Sequence, residues 1–295
     1  MPRSIFAIFG IAPLFVILLS AYFAHEAGVP YLAFVPNFVG AVIGLALLVS
    51  SRKWSVAFHR NLPGIAALAI GLILLTLFSN GEESVHRWLT LGPFRLNVSM
   101  ALAPVVIFAI SDRLRHNRAG AMAFAVCMLV IFLLQPDAGQ GTAFATAAAV
   151  LLLFDQSLKG ATKGLSLIAL ALAGAASWLR SDPLKPVEHV ERILHLLAAR
   201  GIMGTAAAVS SVLLLVTPIA AVALILNKDG NRKWPLAVSL FAYLVTSFAV
   251  TEFGFFPVPV VGAGIAPVIG FYVMGSVLNV CQERGCESVG GPKLS

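Results

Sequence analysis

The sequence predicts an all-α protein: a polytopic integral membrane helix bundle of about ten transmembrane helices. Three observations carry that expectation. Of 295 residues, 59% are hydrophobic and 11% charged, against roughly 25% charge in a soluble domain. Mean hydropathy is +0.93, and apolar runs recur along the whole chain, which excludes a soluble domain on a single anchor. Hydrocarbon offers a free backbone no hydrogen-bond partner, so runs of about 20 apolar residues must be helical. The runs are also rich in Ala, Leu and Gly and lack the alternation of an outer-membrane barrel.

Ten spans are expected in order, at about 5–24, 31–50, 62–79, 97–111, 119–135, 141–154, 164–178, 202–226, 235–253 and 262–281. The fourth, sixth and seventh are short and either tilt little or extend into their flanks. No small-residue cleavage site precedes His25 and Glu26, so the first run reads as a retained span and not a signal peptide. Residues 1–281 form one transmembrane domain and 282–295 a short cytoplasmic tail. Cys127, Cys281 and Cys286 make no disulfide framework.

The loops set orientation. With the N-terminus inside, the inner segments hold 14 of the 20 Lys and Arg residues: Arg3, Arg52, Lys53, Arg60, Arg113, Arg115, Arg118, Lys159, Lys163, Lys228, Arg232, Lys233, Arg284 and Lys293. Inside excess of basic residues places both termini in the cytoplasm. The net charge of +7 therefore sets topology and meets anionic lipid, and is not a nucleic-acid footprint. Eight of the 13 acidic residues fall on the outer side, which is where chemistry is expected.

The outer segment Arg180 to Arg200 gathers Asp182, Lys185, Glu188, His189, Glu191, Arg192 and His195. From Pro186 it reads as a short amphipathic helix, with Val187, Val190, Leu194 and Leu197 on one face and Glu188, Glu191, Arg192 and His195 on another. Such a helix either presents reactive groups at the membrane surface or simply carries solvated charges. Three further outer segments stand out. Asn80 to Asn97 mixes His86 and Arg87 with Trp88, an interfacial anchor type. The tight loop Gln135 to Gly141 has an acid at its centre. An acid that close to hydrocarbon is costly unless paired, so Asp137 is expected to meet Arg87 or Arg95, as a structural pair or in a substrate site. Glu252 to Gly264 has the prolines and glycines of a broken or re-entrant segment. There is no Walker loop, HExxH, nucleophile elbow or CxxC. Glu188, Glu191 and His195 could share a metal on one helical face; a divalent ion (Mg or Mn) carried with a pyrophosphate is the better expectation, and no organic cofactor is expected.

Together these segments resemble the SEDS family, the FtsW/RodA type of peptidoglycan glycosyltransferases. Arg87-Trp88-Leu89-Thr90-Leu91-Gly92-Pro93-Phe94 is similar to that family's RWI-x-LGPF loop, and Gln135-Pro136-Asp137-Ala138-Gly139 to its QPD-x-G turn. Lys185 to Glu191 resembles LPEAHTD, with His189 on the histidine and Glu191 on the aspartate, and Phe256-Pro257-Val258 resembles LPVTG. The pieces recur in family order over almost the whole chain. Three departures mark a divergent, shortened member: Asn97-Val98-Ser99-Met100 stands in place of QPSE, a glycine-rich stretch before LPEAHTD is missing, and Val261 to Pro267 replaces PFISYGGSS.

The resemblance implies polymerisation of lipid II at the outer face of the bacterial cytoplasmic membrane, in cell division or cell-shape maintenance. A sugar hydroxyl attacks an anomeric carbon and expels undecaprenyl pyrophosphate. That needs a carboxylate to take the proton, positive charge for the leaving group and a greasy groove for the polyprenyl chain. Glu191 is the expected base, with Glu188 and Asp182 as substitutes. Arg87, Lys185 and Arg192 would clamp phosphates, His189 would orient the base or acceptor, and Trp88, Gln135 and Asp137 complete the expected substrate contacts. A class B penicillin-binding transpeptidase is the implied partner. Two other readings stay open: a catalytically inactive scaffold that binds lipid II, favoured by the departures, and a flippase for a lipid-linked sugar, for which the spans carry few ionisable residues.

Overall fold

The computed structural model describes residues 1–283 apart from Pro93 and Ser181. Among them are eleven α-helices: α1 (Arg3–Glu26), α2 (Val35–Ser50), α3 (Ser55–Leu75), α4 (Val98–Arg113), α5 (Arg118–Leu134), α6 (Ala138–Phe154), α7 (Gly160–Ala176), α8 (Ile193–Ala198), α9 (Gly201–Lys228), α10 (Trp234–Ala249) and α11 (Ile265–Glu283). The chain is an all-α polytopic membrane protein, and every expected apolar run coincides with one of the ten longer helices. Counting adjoining 3-10 turns, six are long and apolar enough to cross a bilayer unaided: Arg3–Glu26, Tyr31–Ser50, Ser55–Phe78, Gly160–Leu179, Gly201–Lys228 and Trp234–Glu252. Cys286, Arg284, Lys293 and most of the expected tail lie outside the described residues, as does Pro93 of the outer loop.

Local chemistry fixes where the inner helices begin. Side-chain oxygens of Asn97, Asn117 and Asp137 accept hydrogen bonds from the amides of Met100, Gly120 and Gln140 and so cap α4, α5 and α6, satisfying donors a helix start leaves free. α4, α6 and α11 form the middle of the bundle, α11 packing on α2 and α4, and α6 on α7 and α10. Small residues allow the closest approaches: Gly44 of α2 faces the ring of Tyr272, and Gly270 of α11 lies on the carbonyl of Met100. Two polar side chains inside the bundle bond across helices. Ser239 Oγ donates to the Ala147 carbonyl at 2.7 Å and the Tyr243 hydroxyl to Gln140 Oε1 at 2.6 Å. Outward faces are apolar, with Leu165, Leu172, Ile202 and Leu224 all strongly exposed, the arrangement a lipid environment demands.

The turns gather at two ends. At one, Arg115 donates to the carbonyl of Arg232, Arg118 reaches Ser157 and Asp155, and Asn279 bonds Ser51. These contacts tie together the basic turns between α4 and α5, α6 and α7, and α9 and α10. At the other end lie the segments after α3, α5, α7 and α10, described below.

One expectation needs correction. Pro186 to Arg200 is not one helix. A single turn closes at Val190 and Glu191 on the Val187 carbonyl, the chain leaves helical geometry at Arg192, and α8 begins only at Ile193. The reason is tertiary: the carbonyls of His189 and Val190, which a continuous helix would use, accept instead from the amides of Ala263 and Val258. The buried stripe is accordingly Ile193 and Leu197, while Val187 is exposed. The loop after α3 also contains a short antiparallel hairpin, β1 (Leu89–Leu91) and β2 (Phe94–Leu96), pairing Leu89 with Leu96 and Thr90 with Arg95. Gly92, with φ of 59°, turns it, a conformation that glycine adopts without strain.

Candidate functional site

Arg87 is the hub of the second end. Its loop is pinned to the end of α3, where the single Ser79 hydroxyl proton is shared between the carbonyls of Thr76 and Trp88, both within hydrogen-bond distance, and to itself through the paired backbones of Glu82 and Val85. The side chain is driven inward until only 2% is exposed. There it donates to the carbonyl of Pro136 and to Asp182 Oδ2 at 2.5 Å, stands 3.7 Å from Asp137 Oδ2, and lies 5.3 Å from the centre of the Phe256 ring. One guanidinium thus joins four segments widely separated in sequence. Arg95, the other expected partner of Asp137, pairs with Glu82 on the hairpin.

Asp137 caps α6 with one oxygen and faces Arg87 with the other. Burial pushes its carboxyl above the ordinary aspartate range despite the pull of Arg87. Neighbouring Gln135 donates to the Ile73 carbonyl at 3.1 Å and to Thr76. Behind Asp137, Gln140 accepts from Tyr243. The expected turn is therefore knitted to α3 and α10 as well as to Arg87.

Glu191 is part-buried, and burial pushes its carboxyl up to about 7, against the pull of the Val187 amide and of Arg87; Asp182 adds to the rise. Its Oε2 accepts from the Val187 amide at 2.7 Å. A carboxylate poised near neutrality suits a general base. Burial lowers the pKa of His189, leaving its ring neutral at pH 7, and the ring lies 6.4 Å from that of Phe34.

A cleft of about 430 Å³ opens beside this cluster, lined by Pro136, Trp178, Arg180, Asp182, Arg192 and Phe256 among others. Arg192 also lies 5.7 Å from the centre of the Phe255 ring. Glu191 and Arg87 are not in the cleft wall. An apolar groove of about 460 Å³ runs between α6 and α7, past Ala145, Ala149, Leu167, Leu170 and Gly174. Trp178 belongs to both spaces and fixes their junction by donating to Thr142 Oγ1 at 2.8 Å. The cleft sets two arginines, Arg180 and Arg192, against two carboxylates, Asp182 and Glu252; beside a greasy groove it can take a molecule with a polar head and a long apolar tail.

The other expected site residues are placed as follows. Lys185 and Glu188 are exposed and Trp88 is half-buried. His195 Nε2 lies 3.1 Å from Glu252 Oε2, so it is drawn to the segment after α10. Glu188, Glu191 and His195 do not converge, and no trio of His, Cys, Asp or Glu gathers as a metal site among the described residues. Arg87 is turned into the carboxylate cluster. Sequence reasoning missed Arg180 and Trp178 as cleft residues; a Trp–Leu–Arg end to an apolar span was the available signal. It also missed Gln140, near the end of the Gln135 to Gly141 loop, and Tyr243, a polar residue inside an apolar run.

No protein-family model matches the chain, and no curated protein matches it in sequence. Its fold is similar to that of rod shape determining protein RodA from Thermus thermophilus, solved unsubstituted and with an aspartate-to-alanine substitution. Both superpose with a TM-score of 0.67 at 18% identity, over 94% of this chain and 96% and 97% of the respective RodA chains.

Proposed function

We propose that the chain is a divergent, shortened SEDS-type glycosyltransferase that polymerises lipid II at the outer face of a bacterial cytoplasmic membrane, with ten spans and both termini inside. The observation that carries this reading is Glu191, a part-buried carboxyl held near pH 7 within electrostatic reach of Arg87 and Asp182, beside a cleft bearing Arg180 and Arg192 that adjoins an apolar groove. The RodA-like fold supports it.

In this reaction the acceptor sugar hydroxyl gives its proton to Glu191 as its oxygen bonds to the donor anomeric carbon. The bond from that carbon to the pyrophosphate oxygen breaks, and undecaprenyl pyrophosphate leaves with the electron pair. Arg180 and Arg192 meet the charge developing on the leaving group, and the α6–α7 groove holds the polyprenyl chain. Arg87 keeps Asp137 and Asp182 in place, so the phosphate role expected of it passes to the two cleft arginines. Asp137 and Asp182 face Arg87, and no trio of His, Cys, Asp or Glu gathers among the described residues; a divalent ion (Mg or Mn) would come with the pyrophosphate of the substrate. A class B penicillin-binding transpeptidase remains the partner proposed from the family resemblance of the sequence.

One observation favours a second reading, an inactive lipid II-binding scaffold: Glu191 closes its own turn on the Val187 amide, as a purely structural carboxylate would. Purified protein in nanodiscs with lipid II discriminates. Glycan made by the wild type and lost by roughly 10²–10⁴-fold in Glu191→Gln supports the polymerase. Lipid II binding without glycan from either form supports the scaffold.

A further inference from the structure

The chain from α10 to α11 does not run over the surface but dips into the bundle, with Val258, Val260, Val261 and Gly262 buried. A buried irregular segment must satisfy its backbone groups within the protein. Here one side chain meets much of that need. Asn37, on the first turn of α2 and fully buried, donates from Nδ2 to the carbonyls of Val260 at 3.1 Å and Gly262 at 2.8 Å, and accepts from the Gly264 amide at 2.7 Å. All of its principal bonding capacity goes to three residues, Val260, Gly262 and Gly264, more than 220 positions away.

The held turn is strained. Val260 has φ of +65°, a left-handed conformation that a β-branched residue adopts only when its surroundings over-determine it. The same turn reaches the other way: the Val258 amide donates to the Val190 carbonyl at 3.1 Å and the Ala263 amide to His189 at 2.9 Å. Gly262 lies against that same Val190 carbonyl, where a Cβ would have no room. These bonds grip the two residues immediately before Glu191.

We propose that Asn37 is a positioning residue for Glu191: it holds the 258–264 turn in its strained form, and that turn, through His189 and Val190, fixes the orientation of the Glu191 carboxyl. The proposal rests on the polymerase reading for its kinetic consequence, while the clasp itself is testable without activity. A residue at the start of α2 thereby governs a carboxyl before α8 without touching substrate.

The test compares Asn37→Ala, Val260→Gly and the double variant in nanodiscs, by hydrogen exchange over 256–264 and by glycan synthesis. Glycine takes a positive φ without strain, so a turn carrying Val260→Gly needs the clasp less. Asn37→Ala is expected to lose protection at the Val258 and Ala263 amides while α11 keeps its own. It is expected to lower kcat by about 10–100-fold with KM little changed, as misplacement of a reacting group does, and the loss is expected to shrink when measured against Val260→Gly. Unchanged protection overturns the clasp. A kcat loss of equal size in both backgrounds overturns the strained turn as its carrier, and a rise in KM alone overturns positioning. If Asn37→Ala yields no folded protein, Asn37→Ser takes its place with the same expected order. If the wild type makes no glycan while protection is still lost, the polymerase reading falls and the clasp stands.

Discussion

At the scale of single residues, the charges at the outer end are too few for the roles open to them. Arg87 is one cation against two carboxylates, and Asp137 is buried with it. Removing the cation strands both acids, so Arg87→Met is expected to destabilise by about 3–5 kcal/mol, read as a lower unfolding midpoint in detergent. Adding Asp137→Asn should return part of that loss, because the stranded charge has gone; a double variant no better than Arg87→Met would mean that the pair is not what holds the turn. Glu191 carries the opposite tension. Its folded pKa of about 7 lies above its ordinary value of 4.5, so between those values the folded state binds more protons than the unfolded one. Its contribution to stability is therefore fully present below about pH 4.5 and lost as pH rises through 7, while the base form needed for chemistry grows over the same interval. Glycan synthesis should rise with pH through about 7 while the unfolding midpoint falls. The Glu191→Gln variant should lose that component of the stability slope, and an acid limb at the ordinary glutamate pKa would remove Glu191 as the base.

At the scale of elements, what could be read beforehand divides according to what enforces it. The long helices were legible because lipid compels continuous apolar runs with internally bonded backbone, a demand written along the sequence itself. The Asp137–Arg87 pairing was half legible: an acid at the hydrocarbon edge needs a base, but only the hairpin, by carrying Arg95 to Glu82, decides which. The amphipathic period of 187–197 misled, since periodicity is local and the carbonyls of His189 and Val190 are claimed by residues some seventy positions on. The hairpin was within reach, for Leu89 to Leu96 alternates apolar residues about a Gly-Pro turn. Helix packing gives its own contrast. A side chain on Gly44 of α2 would enter the ring of Tyr272, whereas one on Gly64 of α3 meets nothing within 4 Å. Gly44→Ala should therefore cost about 1–3 kcal/mol by overpacking α2 on α11. Gly64→Ala should instead be neutral or gain up to about 1 kcal/mol of helix propensity. Equal midpoints for the two would mean that α2 and α11 do not approach this closely.

At the scale of the whole molecule, the site exists only because four loops end on one side of the bundle. Arg87, Asp137, Asp182 and Phe256 stand after α3, α5, α7 and α10, and every one follows an odd-numbered crossing if the ten long helices all span. The basic turns after α4, α6 and α9 come together at the opposite end through Arg115, Arg118 and Arg232. The contacts put the basic turns at one end and the carboxylate cluster at the other, and the charge bias along the sequence then supplies the proposed orientation, basic end inward. The shorter helices α4, α5 and α6, of 16 or 17 residues, are where that orientation is most exposed. If any one of them failed to cross, every later loop would change sides, and Asp182 and Phe256 could not meet Arg87 on one face. Single cysteines report this directly in a background with Cys127, Cys281 and Cys286 replaced. Cysteines at Glu83 and Glu188, both exposed and on either side of the three short helices, should react with a membrane-impermeant maleimide added to intact spheroplasts. One at Lys159, also exposed but between α6 and α7, should react only after permeabilisation. Glu83 and Glu188 labelling from opposite sides would dismantle the outer site, and with it both the glycosyltransferase and the lipid II-binding readings at once.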